Sequence, residues 1–457
     1  MSSDRTSPPP PPLPAVQAAA GESASSGPAA SERMTPLERR ASVSLASLYA
    51  LRMLGLFLIL PVFAVHARAL PGGDDATLVG IALGIYGLTQ GLLQLPFGMA
   101  SDRLGRKPVI IFGLLLFAIG SFIAAWAPDV LTVIVGRSLQ GAGAISAAVT
   151  AMIADATRDS QRTKAMAMVG GSIGATFALS LIVAPLLYSS IGVAGLFAAT
   201  GVLATAAILL VLRVVPGADE LASARRTWQA VEGAPDPASA VSARRSFASV
   251  LLDPDLLRLN LGIFVLHAVQ LSMFIVVPAW LIDRHLPLSE HWKIYLPVVL
   301  ASFAVMMPPL NWAERSGRLR VVFLGSIAVL ALVLTGFALE PDGLVLMSLL
   351  LFVFFAAFNV MEAALPSLVS RLSPEGARGT ALGIYNTTQA LGLFAGGGLG
   401  GWASARWGGV TVFWMCAALL AAWLVVALGQ RRWPAASAGR GRRRRHGNAA
   451  QGSAEAH

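Results

Sequence analysis

Long apolar segments alternate with short polar connections along most of the chain. Twelve of these segments are long enough to cross a bilayer, which takes about 20 helical residues. They cover approximately residues 41–66, 77–100, 108–126, 129–153, 163–187, 192–215, 257–281, 292–312, 319–339, 343–370, 378–402 and 409–430. The pattern predicts an all-α membrane protein with twelve transmembrane helices, which are called spans 1 to 12 below.

A long polar connection, residues 216–256, divides the spans six and six. We therefore expect a six-helix bundle over residues 34–215, a linker over 216–256 and a second six-helix bundle over 257–430. Residues 1–33 are rich in Ser, Pro, Ala and Gly and lack apolar periodicity, which predicts a disordered tail. Residues 431–457 form a basic tail.

The first helix has a clear start signal. Thr35 provides an N-cap hydroxyl, Pro36 occupies the first helical position and Glu38 the third, which is the pattern of a capping box. Met34 directly precedes this signal, and we hypothesise that it is the true start of the protein.

The composition supports a membrane protein and argues against a soluble one. Hydrophobic residues make up 55% of the chain and charged residues 13%, whereas a soluble domain is about 25% charged. Cys416 is the single cysteine, so no disulfide framework or thiolate metal site is expected. The sequence also lacks a metal-binding His/Glu spacing, a nucleophile elbow and a phosphate loop. We expect no enzyme activity, no metal and no cofactor.

The net charge of +10 would suit a nucleic-acid binder, but its placement favours a membrane topology. Lysines and arginines concentrate in the connections between spans 2 and 3, 4 and 5, 6 and 7, 8 and 9, and 10 and 11. The connections on the other side hold only Arg68, Arg284, Lys293 and Arg406. By the positive-inside rule both termini are cytoplasmic. We expect no nucleic-acid partner, and anionic lipid beside the basic run Arg440–Arg445.

Parts of span 2 recur in span 11. Ala82–Tyr86 followed by Thr89-Gln90 reappears as Ala381–Tyr385 followed by Thr388-Gln389. The two copies are nine spans apart, a multiple of three, which predicts three-helix units repeated four times. Secondary transporters are often built in this way, with substrate near the midplane between the halves. The glycine-rich residues 396–401 lie inside span 11 and indicate close helix packing.

Two motifs resemble those of the major facilitator superfamily. Residues 98–108, Gly-Met-Ala-Ser-Asp-Arg-Leu-Gly-Arg-Lys-Pro, resemble its signature between spans 2 and 3, and residues 137–144, Arg-Ser-Leu-Gln-Gly-Ala-Gly-Ala, resemble its second motif on span 4. Further segments resemble the YajR-like branch of proton-driven drug efflux transporters: Thr35-Pro36 with Glu38-Arg39-Arg40, residues 51–55, 84–90 and 162–167, His291-Trp292-Lys293, and Asn359 with Met361-Glu362-Ala363.

Two departures from that branch change the expectation. YajR carries a small soluble domain after the last span, whereas this sequence continues as a basic tail, so regulation by such a domain is not expected. The efflux signature of span 5 has Gly-Pro followed by glycines, but residues 184–187 are Ala-Pro-Leu-Leu. This weakens the inference of drug antiport, though not that of transport.

The resemblance implies a gating latch at the cytoplasmic end of span 2. Asp102 would meet the positive N-terminal end of span 11 near Gly379 and Thr380, and Asp155 would pair with Arg106. The remaining motif positions assigned to the latch are Gly98, Arg103 and Gly105.

Ionisable residues inside spans are costly in lipid and usually mark functional sites. Glu362 in span 10 is the first candidate for a proton carrier and His267 in span 7 the second. Arg52 in span 1 and Arg137 in span 4 are assigned to the same proton-coupling group. The alternative for both arginines is that backbone carbonyls or a carboxylate satisfy them and they only hold helices together. His267 could likewise be a neutral, hydrogen-bonded core residue.

Helical spacing provides candidates for the substrate cavity. Tyr86, Gln90 and Gln94 recur every fourth residue on one face of span 2, and Tyr385 and Gln389 are their counterparts on span 11. Gln270 and Asn359 lie near His267 and Glu362 in the sequence. An apolar cavity with few polar anchors would suit an amphipathic or cationic organic compound.

The leading hypothesis is a monomeric, proton-coupled exporter of small organic compounds in a bacterial inner membrane. A facilitator or proton symporter for a sugar or metabolite is the alternative, since the span 5 motif is altered. A non-transporting receptor or scaffold is a third hypothesis, against which the ionisable residues within spans argue.

Overall fold

The computed structural model describes residues 34–232, 249–374 and 377–434, and these residues form helices joined by short connections. The predicted tail of residues 1–33, the basic run Arg440–Arg445 and part of the linker lie outside the described residues. The first helix begins at Pro36 with the predicted capping box. The Glu38 amide donates to Thr35 Oγ1 at 3.2 Å, and the Thr35 amide donates to Glu38 Oε2 at 2.7 Å.

The helices of the N-terminal half correspond to the first six predicted spans. They are Pro36–Phe57 and Leu60–His66 (span 1), Ala76–Leu104 (span 2), Arg106–Ala125 (span 3), Val130–Ala142 and Ser146–Ala156 (span 4), and Asp159–Arg213 (spans 5 and 6). A helix over Ala218–Glu232 follows in the linker. It lies within a segment that was predicted only as a polar connection.

The C-terminal half contributes the remaining six spans. They are Pro254–Asp283 (span 7), Trp292–Ser316 (span 8), Leu319–Ala338 (span 9), Leu344–Leu372 (span 10), Arg378–Trp407 (span 11) and Gly409–Leu428 (span 12).

Among the described residues, ten helices are long and apolar enough to cross a membrane by themselves. One of them, Lys164–Arg213, has 50 residues and contains two spans, because Gly192 adopts φ 62° and ψ −174° and interrupts the helix. Span 11 is a 30-residue helix, about 45 Å long, and its glycines lower its hydropathy. The prediction of twelve transmembrane helices in two six-helix bundles is therefore confirmed.

Two spans are broken near the middle, each for a local reason. Span 1 is interrupted at Leu58 and Ile59, just before Pro61, which lacks the amide hydrogen that a continuous helix needs. Span 4 is interrupted at Gly143, whose φ of −72° and ψ of 53° are not helical. Both breaks free backbone carbonyls inside the bilayer, where other groups must satisfy them.

The two halves touch along spans 2 and 11 through glycines. A Cβ added at Gly80 would lie 2.1 Å from the Gly397 carbonyl oxygen, and one at Gly401 would lie 2.3 Å from the Ala76 carbonyl oxygen. Gly84 and Gly87 extend the contact along span 2. We call this contact, formed by Gly80, Gly84, Gly87, Gly397 and Gly401, the glycine seam. It confirms the close helix packing predicted for residues 396–401.

The seam lies at one end of the molecule. The other end, called the basic end below, holds the Arg-rich connections together with residues 34 and 434. There a Cβ added at Gly170 or Gly171 of span 5, or at Gly379 or Gly383 of span 11, would have no atom within 4 Å. The halves are therefore in contact at the seam end and leave open space at the basic end.

Candidate functional site

Three polar side chains from three spans of the C-terminal half meet inside the bundle. Gln389 Nε2 on span 11 lies 2.7 Å from His267 Nε2 on span 7 and 3.5 Å from Glu362 Oε1 on span 10. His267 Nε2 is 3.8 Å from Glu362 Oε2. Spans 7, 10 and 11 thus converge on one cluster, which we call the proton-site cluster: His267, Glu362 and Gln389.

The neighbours of His267 determine which ring nitrogen carries a proton. Its Nδ1 lies 3.3 Å from the Ile263 carbonyl oxygen, which can only accept, so Nδ1 carries the hydrogen. In the neutral ring Nε2 then accepts from the Gln389 amide. His267 is 6% exposed, so its two hydrogen bonds replace those that water would provide.

Glu362 completes the cluster with an unsatisfied oxygen. Its Oε2 is buried and has no hydrogen-bond partner, although the side chain as a whole is 37% exposed. The carboxyl therefore sits between the packed interior and open space. A carboxylate beside an imidazole, with access to space on one side, can pick up and release a proton.

The structure brings the two predicted proton carriers, Glu362 and His267, together, and it places Gln389 with them. Gln389 had been assigned to the substrate cavity from helical spacing alone. Tyr385 lies one turn before it on the same face of span 11, and its buried hydroxyl has no hydrogen-bond partner. Gln270 is buried on span 7, three residues from His267. Asn359 Nδ2 donates to Ser302 Oγ at 3.0 Å and so ties span 10 to span 8.

Arg52, predicted to take part in proton coupling, donates hydrogen bonds to polar groups at the break in span 4. Its guanidinium donates to the Gly143 carbonyl oxygen at 3.3 Å, to Ser146 Oγ at 3.2 Å and to Gln90 Oε1 at 3.3 Å. The Gly143 carbonyl lies at the helix break, where it also accepts from the Ile145 amide at 2.8 Å. These contacts are the ones expected if Arg52 holds helices together, which was the alternative to a role in proton coupling.

Arg137 also binds backbone. It donates to the carbonyl oxygens of Ala82 at 3.2 Å and Leu83 at 3.0 Å, both on span 2. The Tyr86 ring packs between the two arginines, with its centroid 5.7 Å from Arg52 Cζ and 5.4 Å from Arg137 Cζ. Within the described residues no ion pair joins either arginine to a carboxylate.

The three residues predicted to form the cavity face of span 2 are buried in this conformation. Tyr86 is buried among the N-terminal spans, Gln90 binds Arg52, and Gln94 is 3% exposed. Gln90 has a structural reason to be polar, since it binds Arg52, and helical spacing alone could not separate this reason from a role in binding substrate.

The latch motif is assembled around Arg106. This arginine donates from Nε to Asp155 Oδ2 at 3.0 Å and from Nη1 to Ser101 Oγ at 2.8 Å, and it also pairs with Asp102. The structure thus contains the predicted Arg106–Asp155 pair. Gly105 makes the turn between spans 2 and 3 at φ 93°.

The contact predicted between Asp102 and the start of span 11 is not the one observed. The Asp102 side chain is 65% exposed and its ion pair is with Arg106, while Gly379 borders open space. The reason is conformational, since the halves are separated at the basic end where Asp102 and Gly379 both lie. Gly98 packs toward Ala147 within its own half, and Arg103 is exposed.

An aromatic layer separates the proton-site cluster from the seam end. Phe177 of span 5 contacts Phe57 at 5.1 Å within the N-terminal half, and Phe274 at 6.4 Å and Phe355 at 6.1 Å across the halves, measured between ring centroids. Phe274 and Phe355 each lie seven residues from His267 and Glu362, respectively, or about 10 Å along a helix. The layer therefore lies between the cluster and the seam end, with rings from both halves in contact.

Two groups of ion pairs at the basic end, called clamps below, were not predicted from the sequence. Glu38 is 0% exposed, and it accepts from the Arg158 backbone amide at 2.9 Å, from Nε at 3.0 Å and from Nη2 at 2.9 Å. This joins the start of span 1 to the connection between spans 4 and 5. The capping box signalled Glu38 only as a local helix residue.

The second clamp joins the two ends of the C-terminal half. Arg432, after span 12, donates from Nε to Asp255 Oδ2 at 2.8 Å and also pairs with Asp253, at the start of span 7. Hydrogen bonding to Asp255 and then to Asp253 raises the pKa of Arg432 above its usual value. Trp433 packs on Phe323 of span 9, with ring centroids 5.4 Å apart. Acidic residues before span 7 and basic residues after span 12 were the available signal.

Known proteins resemble the chain over most of its length. The family model described as Major Facilitator Superfamily matches residues 45–311 and 298–452. The inner membrane transport protein YajR of Escherichia coli (strain K12) is 44% identical over 398 residues, which cover 86% of this chain and 84% of YajR. The multidrug resistance protein MdtH of Aeromonas hydrophila subsp. hydrophila is 25% identical over 354 residues, covering 75% and 82% of the two chains.

A solved structure supports the same fold. The crystal structure of a D-xylose-proton symporter superimposes with a TM-score of 0.67 at 16% identity, and the match covers 87% of this chain and 99% of the symporter. At this identity the likeness concerns the arrangement of the helices and not the substrate.

Proposed function

Since the chain belongs to the Major Facilitator Superfamily and is a multi-pass membrane transporter rather than an enzyme, we propose that it couples proton movement to the export of small amphipathic organic compounds. The observation that supports this proposal is the contact between Glu362 and His267, 3.8 Å apart inside the bundle. Placing two titratable groups inside a membrane-spanning bundle costs free energy, and such groups usually mark a functional site.

The proposed orientation places the basic end in the cytoplasm. It follows from the positive-inside rule, because the connections at that end hold most of the lysines and arginines. The described conformation is then open to the cytoplasm and closed toward the outside by the aromatic layer and the glycine seam. By the same argument both termini are cytoplasmic.

Alternating access can couple the two fluxes through the proton-site cluster. In the cytoplasm-facing state Glu362 releases its proton, and the ionised carboxylate favours a cationic or amphipathic compound in the space beside it. After the halves rock to the other state, a proton from outside neutralises Glu362 and weakens the hold on the compound. The proton then returns with the empty carrier.

We propose efflux rather than uptake because of the name of one relative. MdtH, which is 25% identical to this chain, is named a multidrug resistance protein. The Ala-Pro-Leu-Leu sequence of residues 184–187 is the feature that keeps the symporter or facilitator alternative worth testing. We also propose an inner-membrane location, a monomeric state and contact of the basic tail with anionic lipid.

The test begins with purified protein and a panel of organic cations, amphipathic drugs, sugars and organic anions. Compounds that raise the melting temperature are loaded into proteoliposomes and followed with and without an imposed pH gradient. The proposal predicts accumulation against the compound's gradient only when protons flow the other way. Accumulation together with protons would establish a symporter, and equilibration indifferent to the pH gradient would establish a facilitator.

A further inference from the structure

Gln389 occupies a position from which it contacts both titratable groups at once. Its amide nitrogen lies 2.7 Å from His267 Nε2 and 3.5 Å from Glu362 Oε1. An amide nitrogen only donates, so this arrangement requires a neutral imidazole that accepts at Nε2, and the same amide favours the ionised form of the Glu362 carboxyl, which is the stronger acceptor. Both are the proton-free forms of their groups.

Protonation of His267 would be incompatible with this arrangement. Since Nδ1 already donates to the Ile263 carbonyl, an added proton must go on Nε2, where it would face the amide hydrogens of Gln389. The amide must then turn over and offer its Oε1 to Nε2. The turn withdraws the amide hydrogens from Glu362, so the orientation of this amide differs between the proton-free and protonated cluster.

The helix that carries Gln389 is packed by glycines on two sides. Toward span 7, a Cβ added at Gly392 would lie 2.4 Å from the Phe264 carbonyl oxygen, and one at Gly396 would lie 2.1 Å from the Ala268 carbonyl oxygen. Phe264 and Ala268 flank His267 on span 7. Toward span 2, the same helix forms the glycine seam through Gly397 and Gly401.

The titratable groups around His267 are few among the described residues. Span 10 contributes Glu362 and span 11 contributes Tyr385. Span 12 contributes Cys416, which contacts Ser272 of span 7 further toward the seam end. His66 of span 1 faces Tyr188 within its own half at 3.4 Å. Glu362 is the one of these that contacts the imidazole.

We infer that Gln389 is a positioning residue of the proton site, whose amide holds His267 and Glu362 in their proton-free arrangement and passes the arrival of a proton to span 11 and thus to the glycine seam. This inference rests on the proposed proton-coupled function. It reassigns Gln389 from the substrate cavity to the coupling machinery and makes span 11 the helix that responds to the proton.

The experiment changes only the pH and adds no transported compound, so protons are the only ligand that varies. Cys416 is replaced by alanine, and spin labels are attached at Asp74→Cys and Arg406→Cys, two exposed positions at the seam end. Distances between the labels are measured by double electron–electron resonance in lipid nanodiscs from about pH 4 to about pH 9, a range that brackets carboxylate and imidazole titration. The readout is the pH midpoint at which the seam-end distance changes.

The variants separate the inference from the proposed function. Gln389→Leu should move the midpoint to higher pH by at least about 0.5 unit or abolish the transition, because it removes donors to the two proton-free groups. Gln389→Glu, which keeps a polar side chain if the leucine variant folds poorly, should also move the midpoint upward. Thr388→Val, whose hydroxyl within the described part of the chain bonds the Ile384 carbonyl of its own helix, should leave it unchanged.

Each failure has its own signature. If the parent protein shows a pH transition that Glu362→Gln removes, but both Gln389 variants keep the parent midpoint, then Gln389 has no positioning role and the proposed function survives. If the parent protein shows no pH-dependent distance change at all, the proton-coupled function itself is wrong, and the role of Gln389 is overturned with it.

Discussion

The backbones of Gly80 and Gly397 are so close that a Cβ added at Gly397 would lie 2.3 Å from the Gly80 carbonyl oxygen. A Cβ added at the neighbouring Gly398 would have no atom within 4 Å. This pair of adjacent glycines allows the glycine seam to be tested with two single methyl groups that differ by one position.

Gly397→Ala should disfavour the conformation closed at the seam end, because the methyl group would overlap backbone that cannot move aside. Overpacking of this kind costs about 1–3 kcal/mol, so the closed population should fall at least several-fold. The distance between spin labels at Asp74→Cys and Arg406→Cys, both exposed at the seam end, measures this population in the Cys416→Ala background. Gly398→Ala should show the distance distribution of the parent, and equal distributions for both alanine variants would show that the seam does not control the closed state.

The buried clamp between Glu38 and Arg158 should be important for stability. Glu38→Gln removes the charge of a fully buried carboxylate that pairs with Arg158, and breaking a buried pair costs about 3–5 kcal/mol. Thermal unfolding in detergent should show a lower Tm. Glu314→Gln is the matched control, since its pair with Arg371 is exposed on both sides and is worth under about 1 kcal/mol. Similar Tm losses in both variants would contradict the assignment.

Arg52 should be structural and not a proton carrier. Arg52→Lys keeps the charge but cannot reach the Gly143 carbonyl, Ser146 and Gln90 together, so the Tm should fall while the pH midpoint of the conformational change stays in place. Measuring both quantities on the same preparation distinguishes the roles. A shifted midpoint at unchanged Tm would return Arg52 to the proton-coupling group.

Asp102→Asn should lower transport while leaving the described conformation stable. In this conformation the Asp102 side chain is exposed and contacts Arg106, so its loss costs little here. In the other conformation it would meet the start of span 11. Uptake rates in proteoliposomes at matched protein amounts, together with Tm, measure the two effects. Normal transport by the variant would remove the latch hypothesis.

Much of the fold follows from hydrophobic patterning. The predicted spans correspond to helices, and the capping box at Thr35 and Glu38 begins the first helix as predicted. The merger of spans 5 and 6 at Gly192 was not predicted, because a glycine at positive φ and a short polar connection look alike in sequence. The linker helix Ala218–Glu232 was missed because the segment is polar overall, and low hydrophobicity indicates a connection even though the segment has a helical periodicity.

The site was only partly predictable. Glu362 and His267 were identified because charge inside a span is costly, a rule that needs no tertiary structure. The same rule grouped Arg52 with them, although Arg52 donates to the Gly143 carbonyl at the break in span 4. The role of Gln389 depends on which neighbours it meets across three spans, and such contacts are fixed by packing between residues far apart in sequence.

The most direct test of proton coupling is gradient-driven transport by Glu362→Gln. The compound that most stabilises the purified protein is loaded into proteoliposomes, and its movement is followed both under an imposed pH gradient and as counterflow without one. The account predicts that the variant loses accumulation driven by the pH gradient while it still exchanges the compound in counterflow. Accumulation equal to that of the parent under the same pH gradient would contradict the account.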